Sequence, residues 1–356
     1  MREAVTAPMI LTECTACADE RAAGATFCEV CGRALTAEVA EQPSEERMDC
    51  PHCKAGKAVG EDGYCEECGL LAGRARDHLE ADGGTVAAAV SNRGRRHHRN
   101  EDAMWLAVGE AAADVVVADG VSASYDPDAA SEVAAKTAGE FLAAAQHPED
   151  DAATGDDDEK PAPAVAVAGV VAAAIAGAAE AVAALAHSGD PRRSASNPAC
   201  TIVAAAVRGP HVGFGWIGDS RAYWLREQGP AEQLTEDDSW ARHVIALGVD
   251  PQVAMNDPKA HAITAWLGAD AGPVRPRVGA FTVTEPGHLV LCSDGLWNYL
   301  TDPAVFADVV RAALTAASGP SPLLAAARAL VAYANDAGGA DNITVALVPV
   351  RPTPDA

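Results

Sequence analysis

Three apolar runs of this chain end on an aspartate. "DVVVADG" stops at Asp119, "VGFGWIGDS" at Asp219 and "HLVLCSDGLWNYL" at Asp294, with scarcely a lysine or arginine beside them. Two more aspartates stand just before apolar runs: Asp102 in "NEDAMWLAV" and Asp341 in "GGADNITVALVPV". A single Asp-Gly after a strand is ordinary turn chemistry. Five aspartates at run ends, with Glu101 next to Asp102, need another explanation. In an antiparallel sheet the end of one strand lies beside the start of its neighbour, so carboxylates placed this way can converge on one edge. Gathered there they repel one another unless cations intervene. An all-oxygen donor set favours hard ions, magnesium or manganese, over zinc. Gly120, directly after Asp119, lets the backbone approach an ion and offers its carbonyl.

A second metal chemistry lies nearer the N-terminus. Eight of the ten cysteines form four CxxC pairs: Cys14 with Cys17, Cys28 with Cys31, Cys50 with Cys53, and Cys65 with Cys68. The arrangement is an internal repeat, with "FCEVCGRAL" answering "YCEECGLLA". Two such knuckles supply four thiolates to one tetrahedral zinc. Disulfides would need an oxidising compartment, and tandem redox pairs of this kind would be unusual. The spacing therefore predicts two structural zinc ribbons, over residues 10–35 and 46–71, binding two zinc ions. Cys200 and Cys292 sit singly in apolar runs and read as core.

These residues must be positioned by a fold that composition constrains. Of the 356 residues 49% are apolar but only 4% aromatic, so the core is built mostly from Ala, Val and Leu. Short β-branched runs (Val86–Val90, Asp114–Ala118, Thr201–Val207, His211–Ile217, His288–Cys292, Ile343–Val350) alternate with Ala-rich helical stretches. Residues 72–84 read as a polar linker and 85–351 as one catalytic domain. An acidic, Pro-rich insert at about 147–163 reads as a solvated loop. The insert is no EF-hand, because its Gly and terminal Glu are misplaced. Pro163–His187 is long and apolar, but it is mostly Ala and carries Glu180, so a packed helix is expected rather than a membrane span. No signal-peptide core is visible at the start, and a cytoplasmic location is expected. A net charge of -25 and a pI near 4.6 argue against nucleic-acid and membrane partners.

The order of the motifs carries the reading further. "NED", "VVVADGVS", "GWIGDSRAYWLR", "LTEDDSW", "ITAWLG", "LVLCSDGLWNYL" and "GGADNITVALV" follow one another as in the type 2C metal-dependent serine/threonine protein phosphatases, which the chain resembles from about Val86 to Val350. The resemblance implies an α+β fold, a four-layer α-β-β-α sandwich of two antiparallel sheets flanked by helices, preceded here by the two zinc ribbons. It implies that Asp119 bridges two Mn2+ or Mg2+ ions and Gly120 gives one of them its carbonyl. Asp294 and Asp341 complete the other ion, and Asp219 holds a weaker third. Glu101 and Asp102 accept hydrogen bonds from metal-bound water. A water or hydroxide between the ions would attack phosphoserine or phosphothreonine in line. The partners implied are phosphorylated proteins made by a serine/threonine kinase, with the ribbons as docking modules.

The chain departs from the family pattern in three places. His97 stands where the family carries a phosphate-clamping Arg, so either Arg96, Arg99 or His97 itself meets the phosphate or the run is simply a solvated basic loop. Val121 and Ser122 stand where many members have a His, and Asp237-Asp238 replaces an Asp-His pair. Two other readings remain: a weak or inactive phosphatase fold serving as a zinc-ribbon adaptor, and a two-metal nuclease. The complete aspartate set argues against the first and the acidic charge against the second.

Overall fold

The computed structural model describes residues 38–39, 48–50, 53–60, 63–70, 72–146, 162–273 and 275–353. Their strands are β1 (Glu38–Val39), β2 (His78–Asp82), β3 (Ala88–Asn92), β4 (Ala103–Gly109), β5 (Ala112–Ala118), β6 (Ile202–Arg208), β7 (His211–Ile217), β8 (Arg221–Arg226), β9 (Glu232–Gln233), β10 (Arg277–Thr282), β11 (Gly287–Cys292) and β12 (Ile343–Val350). Four long helices accompany them: α1 (Pro127–Ala144), α2 (Pro163–Leu185), α3 (Pro303–Ala316) and α4 (Pro322–Asp336). One sheet runs β1-β4-β5-β6-β7-β10 and the other β2-β3-β12-β11-β8-β9, with every pairing antiparallel.

Three hydrophobic layers hold the four tiers together. Val115, Val117, Leu289 and Leu291 meet between the sheets. Val116 and Ala118 face α1 and α2, while Val290 and Cys292 face α3 and α4. Successive side chains of a strand point to opposite faces, so a strand covered on both sides must be apolar throughout. That is why Val115–Ala118 of β5 and Leu289–Cys292 of β11 read as unbroken apolar runs. The expected four-layer sandwich is the observed one.

Helix α2 is long and apolar enough to cross a bilayer by length and composition. In the fold its Val167, Val171, Ala174, Ile175, Ala178 and Val182 form one buried face in the layer against the first sheet. Both lone cysteines are fully buried there or in the opposite layer, as expected.

The linker expected at residues 72–84 is not a linker. Ala75–Asp77 forms a 3-10 turn and His78–Asp82 is β2, in register with β3 from His78↔Asn92 to Asp82↔Ala88. The charged composition misleads because β2 is an edge strand, and edge strands carry charge on their open side. Its Glu80 takes the Arg328 guanidinium of α4. The sheet that contains β12 therefore begins before residue 85. Cys14, Cys17, Cys28 and Cys31, and the acidic insert around 147–161, lie outside the described residues.

Candidate metal centre

The strand ends deliver the aspartates to one place. Asp119 follows β5, Asp219 follows β7 after Gly218, and Asp294 follows β11 after Ser293; Asp102 precedes β4 and Asp341 precedes β12 by one residue. Their mutual repulsion shows in their acidities. Burial first, and then the charges of Asp102, Asp294, Asp341 and Asp219, push Asp119 well above the ordinary carboxylate range. Burial followed by Asp219, Asp341 and Asp102 does the same to Asp294. Burial and then Asp237 raise Asp219 to about 7. Asp102 is raised to about 6, mainly by burial. Among the described residues no lysine or arginine forms an ion pair with Asp102, Asp119, Asp219 or Asp294.

Asp102 and Asp294 are each held through one oxygen while the other stays open. Asp102 Oδ2 accepts from Ser293 Oγ at 2.8 Å and Thr344 Oγ1 at 2.7 Å, and Thr344 is braced by Ser91 at 2.7 Å. Asp102 Oδ1 is buried without a partner. Asp294 Oδ2 accepts from Asn298 at 3.0 Å, and its Oδ1 is likewise buried and unpartnered. A buried carboxylate oxygen with nothing to bind is costly. Convergent orphaned oxygens with no nitrogen or sulfur donor among them fit a hard divalent cation.

Two glycines bring the ligand loops together. A side chain on Gly295 would place its Cβ 1.9 Å from the Asn342 carbonyl, so the turn carrying Asp294 can sit directly on the turn carrying Asp341 only without one. At Gly120 a Cβ would meet the Glu101 carbonyl at 2.7 Å and the Pro127 carbonyl at 2.8 Å. The protein's own backbone thus accounts for Gly120, whatever its carbonyl holds.

The other expected residues have definite places. Glu101 is 8% exposed; its Oε1 takes Arg99 at 3.0 Å and its Oε2 takes Ser122 Oγ at 2.6 Å. Arg99 also meets Asp128 at 3.1 Å, so it is committed within the fold. His97 Nε2 lies 3.0 Å from Asp341 Oδ1, which places it against a candidate ligand. Arg96 is exposed, and its backbone N–H donates to the Gly339 carbonyl at 3.2 Å. Asp237 grips Arg221 through two bonds of 2.8 and 2.6 Å. Arg221 stacks 3.5 Å over the Trp297 ring, and Trp297 Nε1 donates to the Asp219 carbonyl at 3.0 Å. Asp238 accepts from Gly218 N at 2.9 Å and pairs with Arg277. The Asp237-Asp238 pair therefore steadies the turn that carries Asp219.

Sequence reasoning did not single out Asn342, Asn100, Ser293 or Thr344. Asn342, 2% exposed, bonds the Arg93 and Arg99 carbonyls and accepts Glu101 N at 2.7 Å. It fastens the "NED" loop to the β12 turn. The only signal was its position inside the "ADN" motif; hydroxyls and amides in apolar runs look like neutral spacers until their partners are known.

A separate donor set lies in the described half of the cysteine repeat. The Sγ atoms of Cys50, Cys53, Cys65 and Cys68 all lie within 4.8 Å of one another. Cys50 and Cys68 are 3.7 Å apart, and Cys53 and Cys65 are 3.6 Å apart. Tetrahedral zinc with bonds of about 2.3 Å places its sulfurs about 3.8 Å apart, so the four thiols fit that ion.

Comparison with known proteins agrees with this geometry. The family model described as protein phosphatase 2C matches residues 92–332. The protein phosphatase PhpP of Streptococcus pneumoniae is 34% identical over 136 residues, covering 38% of this chain and 51% of that protein. The chain thus spans about half the length of the curated relatives it matches. The structure of the S. agalactiae serine/threonine phosphatase is 26% identical with a TM-score of 0.58, covering 74% of this chain and 99% of that one. The catalytic domain of the phosphatase PstP, solved with 2 manganese ions, shares the fold at 24% identity and a TM-score of 0.53, covering 74% of this chain and 97% of its own. The family match stops short of Asp341, which the pairing of β12 between β3 and β11 nevertheless brings to the centre. The chain belongs to the protein phosphatase 2C family.

Proposed function

We propose that this chain is a magnesium- or manganese-dependent phosphatase acting on phosphoserine and phosphothreonine in proteins. The convergence of aspartates from five strand ends, with buried unpartnered oxygens on Asp102 and Asp294, carries the reading. Asp119, Asp294, Asp341 and Asp219, with the Gly120 carbonyl, hold the cations, and Glu101 and Asp102 orient the water around them. Divalent cations bound there acidify water and neutralise a phosphoryl group. The side chains supply placement: Ser293 and Thr344 fix Asp102, Asn298 fixes Asp294, and His97 orients Asp341. Arg96, exposed beside His97, is the cation we assign to the substrate phosphate.

Neither lone cysteine competes for the role of nucleophile. Burial pushes the Cys292 thiol up to about 12 and raises Cys200 as well, so neither forms a thiolate at neutral pH. Water remains as the attacking group.

The thiols of Cys50, Cys53, Cys65 and Cys68 are assigned to a structural zinc, and Cys14, Cys17, Cys28 and Cys31 to a second by their matching spacing. Reduced thiols on this scale suit the cytoplasm. The ribbons serve as docking modules for phosphorylated partners.

The test is release of phosphate from phosphothreonine peptides and p-nitrophenyl phosphate. Turnover should require manganese or magnesium, stop with EDTA, and vanish in Asp294→Ala. Folded protein with manganese and no turnover would leave the adaptor reading in its place.

A further inference from the structure

The cysteine knuckle and the catalytic sheets are joined by the turn Arg74–Asp77, which bonds the sheet side itself and is preceded directly by residues bonded to the knuckle. On the knuckle side the Gly63 carbonyl accepts Ala72 N at 2.8 Å and Gly73 N at 3.1 Å. Cys65 N donates to the Leu70 carbonyl at 3.0 Å and Gly69 N to the Cys65 carbonyl at 2.8 Å. The chain leaving the last thiol is therefore folded back on the knuckle up to the residue before Arg74.

On the catalytic side, Asp77 uses its two oxygens separately. Oδ2 accepts Arg74 N at 2.9 Å and Oδ1 accepts Asn100 N at 3.1 Å. Arg76 Nη2 reaches the carbonyls of Asp102 and Asp128, both at 3.3 Å, and its Nη1 meets Glu132 at 3.0 Å. The Arg76 carbonyl accepts Asn100 Nδ2 at 3.0 Å, and Arg74 Nη1 meets Asp128 Oδ2 at 3.1 Å. One short turn thus grips both the Asn100–Asp102 loop and the start of α1, the helix that follows the Asp119 turn.

Among its described residues the knuckle buries only a small apolar cluster. Its buried cluster is Cys50, Ala58, Val59 and Cys65, so half of it is thiol. In so small a unit the free energy of metal binding is the free energy of folding.

We propose that metal binding by Cys50, Cys53, Cys65 and Cys68 orders the Arg74–Asp77 turn, and that this turn clamps the Asn100–Asp102 loop in place for the catalytic cations. Arg74, Arg76 and Asp77 are positioning residues, acting through the backbone of Asn100 and Asp102. The knuckle thereby couples the zinc state of the chain to the affinity of a second, chemically different metal centre. The inference rests on the divalent-cation reading above and extends it.

The experiment is manganese titration of the full chain, following free Mn2+ by its paramagnetic resonance signal. Zinc content and far-UV circular dichroism are recorded on the same samples. Groups that orient metal ligands from behind change metal affinity by roughly tenfold or more when removed. The Cys65→Ser/Cys68→Ser double variant, which loses the zinc of this knuckle, and Asp77→Ala should each weaken manganese binding by roughly that factor with the sheet signal intact. Asp77→Asn, which keeps an acceptor for Asn100 N, should recover part of the loss. Where the double variant does not fold, wild-type chain stripped of zinc and then reloaded gives the same readout. Manganese affinity that ignores zinc removal overturns the clamp, whatever Asp77→Ala does, and leaves the phosphatase reading standing. A wild-type chain that binds no manganese overturns both.

Discussion

Single residues decide how the centre is held open. Asp102 is fixed through one oxygen by the hydroxyls of Ser293 and Thr344, which leaves the other for a cation or its water. Removing either hydroxyl lets the carboxylate turn without removing it. Ser293→Ala and Thr344→Val should raise the manganese concentration for half-maximal activity roughly tenfold. Turnover at saturating manganese should stay near wild type, and a fall in turnover with unchanged metal dependence would contradict the assigned role. The strand-end aspartates that come together were legible in the sequence because a carboxylate ending an apolar run is conspicuous. Ser293, Thr344 and Asn342 were not, since a hydroxyl or amide in a strand acquires meaning only from what lies across the sheet.

At the scale of elements, two glycines and an aromatic do the joining. Gly295 carries no side chain because the Asn342 backbone occupies the space. Gly295→Ala should cost about 1–3 kcal/mol, as overpacking against an unyielding neighbour does, read as a lower urea midpoint. The same change should weaken manganese binding, because it parts the turns of Asp294 and Asp341. Trp297 is 1% exposed and packs in the layer under α3 and α4. Trp297→Ala should cost about 3–5 kcal/mol and release the turn of Asp219. Strands such as β5 and β11 were readable as apolar runs. β2 was missed because its charged residues look like a loop until Glu80 and Asp82 are seen to bond Arg328 and Ser321, and β10, "RVGAFT", because an edge strand with a central glycine lacks both the apolar run and a clear alternation.

At the scale of the molecule, the sandwich concentrates negative charge at one rim, and the metal-free fold bears the cost. Asp219 is raised from 3.8 to about 7 and Asp102 from 3.8 to about 6. Raised pKa values mean that the folded chain binds these protons more tightly than the unfolded chain. That stabilisation is complete below the ordinary value and is lost as pH rises through about 6 to 7. The metal-free chain should therefore melt at a lower temperature at pH 8 than at pH 5.5. Manganese should remove the difference and release protons as it binds. A melting temperature of the metal-free chain that holds steady or rises over that interval would count against the cluster. The overall architecture could be anticipated from motif order, but the attachment of the knuckle could not, because Arg74–Asp77 looks like a charged spacer.

The central claim, that the strand-end carboxylates form one divalent-cation centre, is tested most directly by equilibrium manganese binding to wild type and Asp119→Asn. Asp119 sits among the other four aspartates, so its neutralisation should abolish binding of more than one ion while the fold survives. Manganese bound to Asp119→Asn with wild-type stoichiometry and affinity would contradict the account.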